Sequence, residues 1–392
     1  MAAGAVLGAS AINMVSTENN AQLGSPINAK QAPKELVAKL AQKTVANRAP
    51  KAINSPVTVA SDLLGGYSWT YQMSSDRQED PANATVTGTY TQDVLFYDAD
   101  DATGTFKIAG MFDAPITATL DLTSYDYPTF TISDQEQVAY TSNYGACTVK
   151  GLFYYAGDTN NAAGWYYTDN LAFVVDGQIM WANNVWLVRT IASGQYSGYS
   201  LTPYYMPASE MVEKEGLNGI MTHRYDNAFD MTAPVNITED ENYVVTVNNF
   251  AGLAVNPVTI NLEEGYTWTA DATVLFTNDN GSYVLYGING DNVYPLTGTG
   301  TETVLTFDGD WTGYDTKTNY WLGQRSAGVI TLLDGEFVWP SATAISDMST
   351  SEVASVKYIN AQGMTSANAF DGLNIKVTTF TDGTTKAIKV IK

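Results

Sequence analysis

Gly66-Tyr67-Ser68-Trp69-Thr70-Tyr71-Gln72 decides the fold, because every second residue is aromatic and those between are small or polar. Side chains of an extended chain alternate between two faces, so this pattern sets one face of a strand in a core and the other in water. The alternation returns in Ala84–Tyr90 and in Ile116–Leu122, the latter through Ile116, Ala118, Leu120 and Leu122. Asp/Asn/Gly turns such as Tyr97–Gly104, Asp158–Asn161 and Asp176-Gly177 separate such runs at short intervals. That spacing predicts antiparallel hairpins in a sandwich or barrel.

Composition agrees with an all-β protein. The 392 residues are 45% apolar and 12% aromatic, enough core for two or three domains, while only 15% are charged. Net charge is distributed as +3 over residues 1–62, −27 over 63–351 and +2 over 352–392. An acidic body repels phosphate backbones and anionic headgroups, so no nucleic acid is expected as a partner. No apolar run is long enough for a transmembrane span. The one cysteine, Cys147, excludes an intrachain disulfide and reads as a small buried hydrophobe.

Residues 1–22 begin with the apolar, small-residue stretch Met1–Val15, which has the texture of a signal-peptide core without its basic lead; an Ala-rich tail is the alternative. Residues 23–62 are basic and predict a linker or a short helix over Lys34–Ala46, where Leu36 and Leu40 lie one turn apart behind Pro33.

The chain also matches itself. Phe106–Phe112 aligns with Val244–Phe250, Gly145–Leu152 with Gly281–Ile288, and Leu171–Trp181 with Val329–Trp339. These collinear matches predict an internal duplication, with β-domains over 63–202 and 242–346. The second copy then carries an insertion around Tyr294–Asp315. Residues 203–241, with His223, form the expected connector.

The last segment, 352–392, reads as strand, glycine turn, longer strand, Asp-Gly turn and final strand. Its order of pieces resembles the C-terminal sorting domain of type IX secretion cargo. The positions that carry the likeness are Tyr358, Asn360 and Gly363, then Gly372, Ile375 and Val377, then Gly383, Lys386, Lys389 and Val390. The chain departs from that pattern at Leu373-Asn374, where an aromatic often follows the glycine. The resemblance covers about a tenth of the chain. It implies a small β-sandwich, export by a signal peptide, the type IX secretion machinery as partner, and a place at the cell surface or in the medium.

No strong catalytic motif occurs. There is no His-Glu-x-x-His, Cys-x-x-Cys, phosphate-binding loop, nucleophile elbow or dinucleotide fingerprint. His223, the only histidine, falls in the expected connector as an exposed or hydrogen-bonded side chain. Two loops offer oxygen ligands for calcium, one with Asp98, Asp100 and Asp101, the other with Asp308 and Asp310. Solvated turns are the competing reading, and no other cofactor is implied. The aromatics Trp165, Tyr166, Tyr167, Tyr204 and Tyr205 are candidates for stacking on a glycan or a small apolar ligand, against ordinary packing in the sheet.

The expected architecture is therefore two tandem antiparallel β-barrel or β-sandwich domains and a small terminal β-sandwich. The expected function is that of an exported, non-enzymatic surface or secreted protein. An extracellular glycoside hydrolase using paired carboxylates, or a structural part of a surface layer, are the alternatives.

Overall fold

The computed structural model describes residues 29–46, 56–74, 86–124, 126–132, 138–141, 145–175, 177–182, 185–190, 196–202, 211–279, 281–315, 317–318, 320–340, 353–360, 362–381 and 383–392. The signal-like segment 1–22 lies outside them. The chain divides into two compact units, Met1–Trp339 and Pro340–Lys392.

Among its described residues the first unit is all-β apart from α1 (Lys34–Ala46) and short turns of 3-10 helix. Its first sheet is built from β1 (Lys30–Gln31), β2 (Gly65–Ser74), β3 (Val86–Asp100), β4 (Thr105–Ala109), β5 (Ile116–Asp121), β6 (Thr129–Thr131) and β7 (Ala139–Thr141). It continues with β8 (Gly145–Tyr155), β9 (Gly164–Thr168), β10 (Asn170–Val175), β11 (Gln178–Trp181), β12 (Trp186–Thr190), β13 (Tyr196–Thr202) and β14 (Met211–Glu213). The second sheet takes β15 (Gly219–Tyr225), β16 (Phe229–Glu239), β17 (Val244–Asn248), β18 (Val258–Glu263), β19 (Thr267–Ala270), β20 (Val274–Asn278) and β21 (Gly281–Asn289). It ends with β22 (Asn292–Tyr294), β23 (Thr297–Gly300), β24 (Val304–Phe307), β25 (Asp310–Asp315), β26 (Tyr320–Trp321) and β27 (Arg325–Leu332).

Both sheets form barrels rather than sandwiches. In the second, β15 pairs with β16 on one side and β27 on the other, closing the ring β15-β16-β17-β18-β19-β23-β24-β27. Such a small barrel has room for little beyond its own inward side chains. The first follows the same path through β13-β2-β3-β4-β5-β6-β10-β11 and is nearly closed, since β11 and β13 are not paired among the described residues.

Alternation fills both cores. Tyr67 and Trp69 of β2 point inward as their spacing predicts, as do Ile116, Ala118 and Leu120 of β5. Phe96, Phe106 and Phe130 meet at ring-centre distances of 5.4–6.0 Å in the first barrel. Trp268, Trp311, Phe250 and Phe307 play that part in the second. Cys147 is buried.

The order of connections is the same in both barrels. Five meandering strands, β2–β6 or β15–β19, are followed by a three-strand excursion, β7–β9 or β20–β22. A hairpin then rejoins the meander, β10–β11 or β23–β24, and the next strand, β12 or β25, pairs with the excursion. In this order Phe106–Phe112 and Val244–Phe250 are equivalent, and so are β8 and β21. The third sequence match fails: Leu171–Trp181 is the β10–β11 hairpin, whose counterpart is β23–β24, while Val329–Trp339 is the end of β27 and the chain after it. The expected insertion around Tyr294–Asp315 disappears with it.

One further expectation needs correction. Residues 203–241 are not a connector, because β15 and β16 occupy 219–225 and 229–239 and form two walls of the second barrel. Inward positions there carry Met221, His223 and Tyr225, so His223 is 3% exposed instead of solvated. Of the linker and the short helix that residues 23–62 offered, the structure forms the helix, α1, over the expected Lys34–Ala46. Leu36, Leu40 and Ala41 of α1 join the first core, and Lys39 bonds Asp158 and Tyr155 on the barrel.

The second unit is a single sheet in the order β29-β28-β30-β31, from β28 (Val353–Asn360), β29 (Thr365–Ser366), β30 (Leu373–Phe380) and β31 (Thr385–Ile391). The expected sandwich has no second layer among the described residues. Among the described residues only Asn374 is fully buried there, and Leu373, Ile375 and Ile388 are exposed.

Two outcomes follow from this packing. Leu36→Ala should cost about 2–4 kcal/mol in urea unfolding, as a core leucine does; a change near zero would return the helix to solvent. Burial holds the His223 pKa down at about 3, and the Arg325 charge adds to the effect. Its folded pKa lies below the unfolded value of about 6.5, so the unfolded chain takes the proton first and stability falls as pH drops from 6.5 towards 3. Between pH 6.5 and 4.5 the wild type should lose about 2–3 kcal/mol more than His223→Leu, read from urea midpoints. Parallel losses in the two proteins would place the ring in water.

Candidate functional site

The cleft of greatest interest lies where the two barrels meet, and equivalent elements of both build it. From the first barrel come Gln92 and Asp93 of β3 and the turn Gly110–Asp113 after β4. From the second come Met231–Pro234 of β16 and the turn Asn249–Gly252 after β17. The cavity between them measures about 310 Å³. Met111, Phe112, Met231 and Ala233 make much of its wall apolar, with Ser68, Thr91 and Lys214 among its polar groups.

Direct bonds fix the two sides. The Thr232 amide donates to the Asp113 carbonyl at 2.7 Å, across the junction. The Asp113 carboxylate accepts from the Tyr140 amide at 2.9 Å, and the Tyr140 ring stacks on Phe229 at 5.2 Å. Lys214 closes one end, its ammonium 2.6 and 2.7 Å from the two carboxylate oxygens of Asp93 and its amide donating to the Gly66 carbonyl. Gln92 donates from its side chain to the Gly110 carbonyl.

The backbone here is costly. Asn249, Ala251 and Gly252 have φ of +59°, +55° and +66°. Such left-handed geometry costs an alanine roughly 1–2 kcal/mol, a strain that folded structures keep mostly at functional sites. The surroundings hold it in place, with the Ala251 amide donating to Met221 Sδ at 3.2 Å and the Asn249 side chain donating to the Pro234 carbonyl at 2.8 Å. Gly110, at φ +91°, is required for a second reason: a Cβ there would stand 2.3 Å from the Asp93 carbonyl and 2.8 Å from Pro234 Cγ. Sequence reasoning missed this site, although the match of Phe106–Phe112 to Val244–Phe250 ends on its two turns.

The residues singled out from sequence are spread elsewhere. Strand alternation in β9 divides the aromatic triplet. Tyr166 is buried against Phe153, while Trp165 meets Tyr154 edge to face at 5.4 Å and Tyr167 lies under Lys150 at 5.2 Å. Tyr204 and Tyr205 lie outside the described residues. The loop aspartates are engaged in local structure: Asp98 pairs with Lys107, Asp100 accepts from the Ala102 amide, and Asp101 accepts from the amide and hydroxyl of Ser61. Asp308 accepts from Thr297 at 3.4 Å and Asp310 from Gln324. Among the described residues no three His, Cys, Asp or Glu side chains converge as metal ligands.

In the terminal unit the residues of the resemblance make its turns. Asn360 Oδ1 accepts from the amides of Gln362 and Met364, and Gly363, Gly372 and Gly383 take φ of +79°, +89° and +86° at the bends. Tyr358 pairs with Lys376, Ile375 with Lys389, Val377 with Ala387 and Lys386 with Thr378, while Val390 lies opposite the buried Asn374. Asn374 itself clasps the Phe370 and Gly372 carbonyls.

No protein-family model matches the sequence, and no curated protein does. Among solved structures, a protein of unknown function of the DUF3598 family from Nostoc punctiforme aligns over all of its own length and 71% of this chain, at 6% identity and a TM-score of 0.18. No helix among the described residues is long and apolar enough to cross a membrane.

The geometry of Gly110 makes a direct expectation. Gly110→Ala should lower stability by at least about 2 kcal/mol, from left-handed strain and the clash with the Asp93 carbonyl together. A urea midpoint equal to wild type would mean that the cleft wall is slack.

Proposed function

We infer that this chain is an exported, non-catalytic β-barrel protein that holds a small, partly apolar ligand between its barrels, and that its terminal module addresses it to the type IX secretion machinery. The observation that carries the reading is the separateness of the terminal unit. Residues Pro340–Lys392 close on themselves, and each glycine and asparagine of the resemblance does local work in a turn there. A unit set apart from the body in this way suits a module read by other machinery, with the cell surface or the medium as the destination.

Ligand binding by the body rests on the cleft. A concave, largely apolar wall with a few fixed polar groups is the usual form of a small-molecule site, and the strained turn at Ala251 adds to the case. The cleft suits a compact apolar ligand better than a glycan, since the outer aromatics Tyr154 and Trp165 meet edge to face and present no flat platform.

In a Gram-negative host with a type IX system, deleting Val356–Lys392 should trap the protein in the periplasm while the body keeps its β-type circular dichroism. Normal surface delivery of the shortened chain would defeat the export reading. For the cleft, the purified protein should bind an apolar fluorescent probe such as anilinonaphthalene sulfonate, and Ser68→Trp should abolish that signal by filling the space. Equal fluorescence in both proteins would remove the cleft as the binding site.

A further inference from the structure

Inside the second barrel lies a cluster of polar groups that the cleft does not use. Arg325 of β27 stands opposite Tyr225 of β15 and Trp311 of β25, and is 3% exposed. Its guanidinium rests against both rings, with Cζ 5.2 Å from the Tyr225 centre and 5.3 Å from that of Trp311. Nη1 donates to the Leu322 carbonyl at 2.7 Å and more weakly to that of Gly323 at 3.3 Å. Nε donates to nothing.

Two neighbours share this condition. Trp311 is fully buried and its Nε1 has no partner. The His223 ring lies 5.3 Å from that of Trp311, and neither of its nitrogens is bonded. Among the described residues no carboxylate pairs with Arg325; the nearest acidic influence, Asp226, is solvent-exposed. A buried cation held only by two carbonyls and two ring faces is poorly compensated, because aromatic faces return only part of the lost hydration.

We propose that the second barrel binds a small monovalent anion, a halide or a carboxylate of formate size, between Arg325 Nε, Trp311 Nε1 and the N–H of His223. One positive charge sets the valence. Three unpaired donors, on a guanidinium, an indole and an imidazole, supply the hydrogen bonds an anion requires and a cation cannot use. Close packing favours a small occupant, since the rings of Phe250 and Phe307 lie with centres 5.4 and 6.0 Å from that of Trp311. The depressed pKa of His223 keeps the ring neutral, with one donor and one acceptor, so the charge is met by Arg325 alone.

The test uses the full chain at matched ionic strength in sodium chloride, bromide, formate or gluconate, the last too large to enter. The small anions should raise the melting temperature by about 2–4 °C over gluconate, and Arg325→Met should erase the difference. Whichever of halide and formate acts at lower concentration identifies the source. Equal melting in all four salts, or an unchanged difference in Arg325→Met, overturns the proposal. Should that variant fail to fold, crystals of the wild type grown in bromide decide the matter. An anomalous peak between Arg325 and Trp311 supports the site, and peaks confined to the surface, with water alone inside, exclude it. Neither result bears on export or on the cleft.

Discussion

A twisted sheet with one apolar face must hide that face and satisfy its two edges, and a ring of strands does both at once. Here the requirement falls on β15, which bonds on both sides: Thr222 faces Thr232 of β16 and Val329 of β27. With the ring closed, every second residue of its strands is committed to the interior. That sets Trp268 of β19 in the interior, where Trp311 of β25 and Phe250 of the turn after β17 are buried as well, each contributing on the order of 2–3 kcal/mol. The same closure commits His223 and Arg325, whose polarity the interior does not favour. Apolar packing and polar cost thus come from one topological fact.

The fold was legible wherever inward residues were aromatic or branched. Tyr67 and Trp69, or Ile116, Ala118 and Leu120, announce a strand because the hydrophobic effect alone explains them. β15 escaped for the opposite reason: its inward set is Met221, His223 and Tyr225, interleaved with Thr222 and Arg224, behind an acidic stretch that resembles a connector. On α1, Leu36 and Leu40 were the legible pair, and Val37 and Ala41 widen it to a face that reaches the barrel. The false third repeat shows the limit of local matching, since an Asp-Gly turn followed by a tryptophan recurs for reasons of turn chemistry without sharing a place in the topology.

The site was less legible because its partners are distant in sequence. Nothing near Gly110 indicates that Pro234 will press on it, and nothing near Asp93 indicates that Lys214 will arrive there. Loop aspartates attracted notice as ligands, yet their bonds to Lys107, Ser61 and Gln324 depend on strands and turns elsewhere in the chain, and the aromatic triplet did so when alternation was about to split it. The useful clue was the repeat itself, whose conjectured halves end on the two turns that face each other. Internal symmetry points to where copies can touch, whereas composition does not.

A groove between two identical chains must have matching walls, because each wall is written by the same gene. Fusing the copies into one polypeptide lifts that restriction. Gly110 can stand on one side while Asn249 and Ala251 stand on the other, and an acid on the first barrel can be answered by a lysine preceding the second. The two walls of the joined molecule can therefore differ residue by residue, a freedom that no symmetric pair of such barrels has.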